Sequence, residues 1–330
     1  MIKLSVLDLS PIAQGSDAAA SFRNSLALAK LAESMGYHRF WLAEHHGMPG
    51  IASAATAVLI AHIAGGTSHI RVGAGGIMLP NHSPLIIAEQ FGTLESLFPG
   101  RIDLGLGRAP GSDQVVARAL RRHLNTDPEA FPQDVLELME YFSAESRLPV
   151  TAVPGKGLNP EFWILGSSLF GAQLAAYLGL PYSFASHFAP QMLMPAIETY
   201  RTQFRPSERL KKPYVMLGYN VFAANSDEEA LYLASSWQQS FVSLRNGRPI
   251  QLPPPVKGYT DTLAVHERAL LDNVLACTAI GSAETIRPVI RDFLARTQAD
   301  ELIVTCNMYD QAARQHSYEI LAEIGKEINS

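Results

Sequence analysis

Glu44, His45 and His46 stand in a row where the apolar run of "WLAEHHG" ends. Imidazole titrates near neutral pH, so one histidine there suits proton transfer or a hydrogen bond to a reacting group. Adjacent side chains on a strand point to opposite faces, so regular geometry aims only one of the pair at a common centre. The alternative is a satisfied structural histidine, with Glu44 orienting its neighbours. Catalytic zinc needs a ligand cluster, and the first apolar run supplies only Asp8, so a metal site is not expected.

"LGLGRAPGSD", residues 104–113, follows another apolar run. A dinucleotide fingerprint needs three glycines as G-x-G-x-x-G at the mouth of the first βα unit. Gly105 and Gly107 fit, but Pro110 holds the third position and the stretch follows the fourth run. What remains is a strand end carrying the guanidinium of Arg108, whose fork matches phosphate oxygens; a plain surface turn is the other reading. In "GAGGIMLPNHSP", Gly75 and Gly76 let a backbone approach a flat ligand closely, or simply bend. Ser167 and Ser168 in "ILGSS" can cap a helix or join its N-terminus in holding an anion. His187 in "SFASHFAP" follows a sixth run and can reach the rim of a pocket.

These residues need elements to hold them. Strands are predicted at Ile2–Leu9, Arg39–Ala43, Ile70–Ala74, Arg101–Leu106, Phe162–Leu165, Tyr182–Ala185, Tyr214–Ala223 and Glu301–Cys306. Helical periods lie between them, among them Ala18–Met35, Ser53–Ala64, Pro84–Leu97, Leu169–Leu178 and Asp227–Leu244. Regular alternation with no linker predicts one α/β domain over residues 1–330, a closed (β/α)8 TIM barrel with loop insertions rather than an open doubly wound sheet. Every candidate above then falls at a C-terminal strand end, where barrel active sites lie. The Pro-rich stretch from Arg245 to Asp261 reads as an insertion.

The composition sets outer bounds. Of 330 residues 47% are hydrophobic and 17% charged, enough for a large core. A net charge of −5 offers no electrostatic reason for a nucleic-acid or anionic-membrane partner. Cys277 and Cys306 lack metal or disulfide spacing and are expected as buried free thiols. With no secretory signal or spanning segment in view, the expected location is the cytoplasm.

Taken together, "GYHRFWLAEHHG", "VGAGGIMLPNHSPLIIAEQFGTLESLFPGRIDLGLGRAPG" and "WILGSSLFGAQLAAYLGLP" resemble the bacterial luciferase-like flavin monooxygenases over nearly the whole chain. The resemblance implies a homodimeric TIM barrel binding FMN, an oxidoreductase acting on paired donors with O2. Reduced flavin, supplied where needed by a separate NAD(P)H-dependent reductase, would oxidise a small organic substrate through a peroxyflavin. It implies Arg108, Ser167 and Ser168 at the FMN phosphate, a cis peptide at Gly75-Gly76 behind the ring, and His45 beside the flavin. It also implies that the 245–261 insertion serves as a lid. This chain differs in having Gly107 where luciferases carry a reactive cysteine and Ser167 where they carry an acid, and its small residues near "GIASAAT" reshape the pocket. A deazaflavin- or flavin-dependent reductase or dehydrogenase, and a non-catalytic flavin-binding protein, are the competing readings.

Overall fold

A computed structural model describes residues 2–108, 116, 119–120 and 130–329. Its strands are β1 (Lys3–Asp8), β2 (Arg39–Leu42), β3 (Arg71–Met78), β4 (Ile102–Gly107), β5 (Glu161–Gly166), β6 (Tyr182–Phe184), β7 (Val215–Ala223), β8 (Thr278–Gly281) and β9 (Glu301–Thr305). All pair in parallel, in the order β6-β5-β4-β3-β2-β1-β9-β7, and the β6–β7 pairing closes the ring. This is the expected eight-stranded barrel, with helices packed outside it.

The ninth strand is a correction. β8 pairs with the far end of β7 (Asn220↔Thr278 to Ala223↔Gly281) and is no stave of the barrel. Four residues after an apolar helical stretch carry too short a period to be recognised from sequence. The helix Val265–Leu275 just before it was also not foreseen. β3 runs past its expected end at Ala74 to Met78, with a register shift against β4 between Ala74 and Ile77. Gly75-Gly76 therefore interrupts the ladder without ending the strand. The helix expected from Ser53 starts at Thr56.

Strand alternation fills the lumen in layers. At the N-terminal end Arg39 pairs with Asp103 (2.8 Å), Glu161 (3.0 Å) and Glu301 (3.1 Å), while Tyr214 donates to Glu301 (2.8 Å). Two residues along each strand, Leu7, Trp41, Trp163, Met216 and Ile303 form an apolar floor, with Trp163 edge-on to Trp41 at 5.2 Å and to Tyr214 at 5.6 Å. Trp41 donates its indole N–H to Asp103 (2.8 Å), which ties the floor to the charged plug. Above the floor β7 presents Gly218 and β3 presents Gly75, so bulk gives way to space toward the C-terminal mouth.

Candidate active site

Glu44 lies just past β2, 1% exposed, and joins three segments. Its Oε1 lies 2.8 Å from His46 Nε2 and 2.8 Å from His82 Nε2, and its Oε2 accepts the Met78 N–H at 2.9 Å. Burial opposes its ionisation, but the bonds and charge of His82, then of His46 and the Met78 amide, outweigh that and hold the carboxyl below its usual range. The glutamate thus orients its neighbours and fastens the end of β3. His46 turns toward it, which leaves His45 as the histidine free for other work.

His45 donates its backbone N–H to Ser53 O (3.0 Å), and its ring Nδ1 is buried with no hydrogen-bond partner among the described residues. Burial, reinforced by His46 and opposed by Glu44, lowers its pKa to about 4, so the ring is neutral at neutral pH. His187 shares these properties. Its Nδ1 is buried and unpartnered, and burial first, then the charge of His45, lowers its pKa to about 4. His45 follows the end of β2 and His187 the end of β6, on opposite sides of the ring of eight, and the charge of His45 still reaches His187.

The Gly75–Gly76 peptide bond is cis. A Cβ on Gly75 would meet Leu7 Cδ1 at 2.8 Å and Trp41 Cε3 at 3.0 Å; one on Gly76 would meet the Gly105 carbonyl oxygen at 2.7 Å. The two glycines form a bare backbone ledge laid on the floor and on β4.

Arg108 leaves β4 with its guanidinium 4.1 Å above the Phe170 ring, in the first turn of the helix Leu169–Leu178. Ser168 occupies that helix's N-cap position, but its side chain makes no capping bond, and both Ser167 and Ser168 are exposed. The capping reading of the serines is therefore not realised. One guanidinium, two exposed hydroxyls and the unshared amides of a helix start lie about the same helix terminus, a set of groups suited to a phosphate. The remainder of "LGLGRAPGSD", from residue 109 to residue 113, lies outside the described residues.

Other groups complete the rim and were not foreseen. Asn220 donates to His187 O (2.8 Å) and Thr278 Oγ1 (3.1 Å) and accepts from Thr305 Oγ1 (2.7 Å), so β8 serves to anchor the His187 loop. Arg245 donates to Phe188 O (2.8 Å) and stacks 4.2 Å from the Phe188 ring. The insertion is pinned: Leu252 exchanges backbone bonds with Ile12 O (2.9 Å) and Gln14 N (2.8 Å), bridging the β7 and β1 sectors of the mouth. His82, in the quoted "GIMLPNHSP", and Gly218, inside an apolar strand, carried sequence signals that could have been followed.

The family profile described as luciferase-like monooxygenase matches residues 2–301. The chain belongs to the luciferase-like monooxygenase family. The chain is 52% identical over 328 residues to a protein of Escherichia coli (strain K12) that bears the family's name, covering 99% of this chain and 98% of the other. Its fold superposes on the crystal structure of apo-MsnO8 with a TM-score of 0.88 at 35% identity, covering 99% of both chains. It shares its architecture with the oxygenating constituent of 3,6-diketocamphane monooxygenase from Pseudomonas putida, solved in complex with FMN (TM-score 0.68, 18% identity, 98% and 97% covered). No group of three or more His, Cys, Asp or Glu among the described residues could hold a metal ion, and no described helix is long and apolar enough to cross a membrane. Cys277 and Cys306 are buried and free, and burial pushes both thiols up to about 11.

Proposed function

We propose that this chain is a monooxygenase that binds FMN at the C-terminal mouth and uses the reduced flavin and O2 to oxidise a small organic substrate. The observation that carries the reading is the meeting of Arg108, the open Ser167 and Ser168 hydroxyls and the helix start at Leu169. This cradle lies on the same barrel mouth as the bare Gly75-Gly76 ledge and the free Nδ1 of His45. Bound reduced FMN supplies the two electrons that activate O2, so that one oxygen atom enters the substrate and the other leaves as water.

The chain's own residues do the rest. Arg108 and the serines hold the phosphate, and the ledge carries the flat ring without a side chain in its way. Glu44 fixes the ledge through Met78 and leaves the neutral His45 to exchange a hydrogen bond with flavin or substrate. The apolar floor of Leu7, Trp41 and Met216 shields the centre from water. A separate NAD(P)H-dependent reductase delivers the reduced flavin. Exposed Val58, Ile86 and Leu97, on the helices Thr56–Gly65 and Pro84–Leu97, support a homodimer.

Titration of flavin fluorescence tests the cradle. Arg108→Ala should raise the FMN Kd by roughly 10- to 100-fold, the loss of charge-assisted phosphate bonds worth about 1.5–3 kcal/mol. An unaltered Kd would remove Arg108 from the site, and preferential binding of a deazaflavin would move the protein to the reductase class.

A further inference from the structure

The barrel floor holds oxidisable rings where plain hydrocarbon would fill the space. Trp41, 1% exposed, lies directly under the glycine ledge, since a Cβ on Gly75 would meet its Cε3 at 3.0 Å. It meets Trp163 edge-on at 5.2 Å between ring centroids, and Trp163 meets Tyr214 edge-on at 5.6 Å. Tyr214 is half-buried and lines the depression at the plugged end. Three rings in contact therefore run from beneath the ledge, through the lumen, to the opposite face. Each also donates to a carboxylate: Trp41 to Asp103 (2.8 Å), Trp163 to Glu161 (3.0 Å) and Tyr214 to Glu301 (2.8 Å). Phenylalanine or leucine would fill this layer without burying an N–H or O–H that needs an acceptor.

We propose that Trp41, Trp163 and Tyr214 form a relay that carries one-electron oxidising equivalents from the mouth to solvent at the plugged end. This rests on the monooxygenase reading, under which oxygen is activated above the ledge. The oxidant is an oxygen-centred radical that escapes when no substrate takes the oxygen. It gains one electron from Trp41 and one proton from solvent, so that a hydroxyl radical leaves as water. Trp163 refills Trp41, and Tyr214 refills Trp163 while its phenolic proton passes to Glu301. A soluble reductant of the ascorbate class returns the electron at the depression, Glu301 returns the proton, and the chain ends unchanged. The charges favour this course. A positive charge on a buried ring needs anions close by, and Asp103, Glu161 and Glu301 outnumber the guanidiniums of Arg39 and Arg71 that they pair with. Arg39 lies 4.7 Å from the Trp163 ring and opposes positive charge there, whereas oxidised Tyr214 is neutral once its proton has left.

A nanosecond ultraviolet pulse on flavin-free W237F, at the red edge of indole absorption, ejects an electron from Trp41 or Trp163, the two tryptophans left. Nitrous oxide and tert-butanol remove that electron and the radical it makes. The tryptophanyl absorption should fall, and a tyrosyl absorption rise, at one rate. Adding Y214F should abolish the rise and prolong the tryptophanyl signal roughly tenfold. Adding W163F instead, which strands Trp41, should also abolish the rise, and either variant decides the point if the other fails to fold. No rise in W237F, or a rise that Y214F or W163F leaves intact, would overturn the proposal. FMN-loaded protein is then repeatedly reduced and reoxidised by air, with ascorbate and no substrate, and its oxidised residues are read by peptide mass spectrometry. Y214F should carry roughly fivefold more oxidised Trp41 than the unmutated chain, and equal amounts would overturn the protective role. Failure to bind FMN, with the pulsed transfer intact, would sink the flavin reading alone.

Discussion

Glu44 concentrates on one carboxylate the bonds that hold the reactive mouth in register. Glu44→Gln keeps the size but turns an NH2 toward a partner, so stability should fall by about 1–3 kcal/mol in denaturant unfolding, with altered circular dichroism of the bound flavin. His45 and His187 lead to a prediction of their own. Their folded pKa values of about 4 lie below the ordinary 6.5. Between these values the unfolded chain binds protons that the folded chain refuses, so their contribution is fully present above pH 6.5 and is lost as pH falls toward 4. The Tm should decline across that window, and H45Q/H187Q should flatten the decline.

At the scale of elements, β3 and β4 approach so closely that side chains are excluded from both. Gly76→Ala would set a Cβ 2.7 Å from the Gly105 carbonyl oxygen, a backbone atom that cannot swing away. Overpacking of this kind costs about 1–3 kcal/mol, and the displaced ledge should weaken FMN binding as well, both readable by calorimetry. The insertion behaves as a strap tied at Leu252, which is 5% exposed. Leu252→Asp should break that tie and raise proteolytic cleavage near residues 248–256 several-fold, while the global Tm, set by the barrel, changes little. A free lid, cleaved as fast in the unmutated chain, is the contrary outcome.

Across the whole molecule the barrel separates stability from chemistry. Its N-terminal end is plugged by Arg39, 3% exposed, among Asp103 and Glu301, each 0% exposed. Arg39→Met would leave these buried carboxylates short of a cation and should cost about 3–5 kcal/mol in unfolding. FMN affinity of the folded fraction should stay unchanged, because the phosphate cradle lies at the opposite mouth. A depression of about 510 Å3 opens at the plugged end, lined by Lys3, His38 and Arg209 among others, and none of the sequence-predicted site residues lines it.

The sequence by itself determined the barrel, through alternating runs with period 2 and period 3.6, and named the strand-end residues Glu44, His45, Gly75, Gly76, Arg108, Ser167, Ser168 and His187. Alternation says which face a side chain takes, and strand ends say which mouth it serves. Neither says which groups meet. Only the tertiary structure sent His46 to Glu44, brought in His82 from 38 positions away, and laid Arg108 on Phe170. It alone showed β8 as an outrigger and Gly218 as the seat of His187. The reason is distance along the chain: periodicity records what a residue's own element requires, and partners across the mouth leave no local pattern.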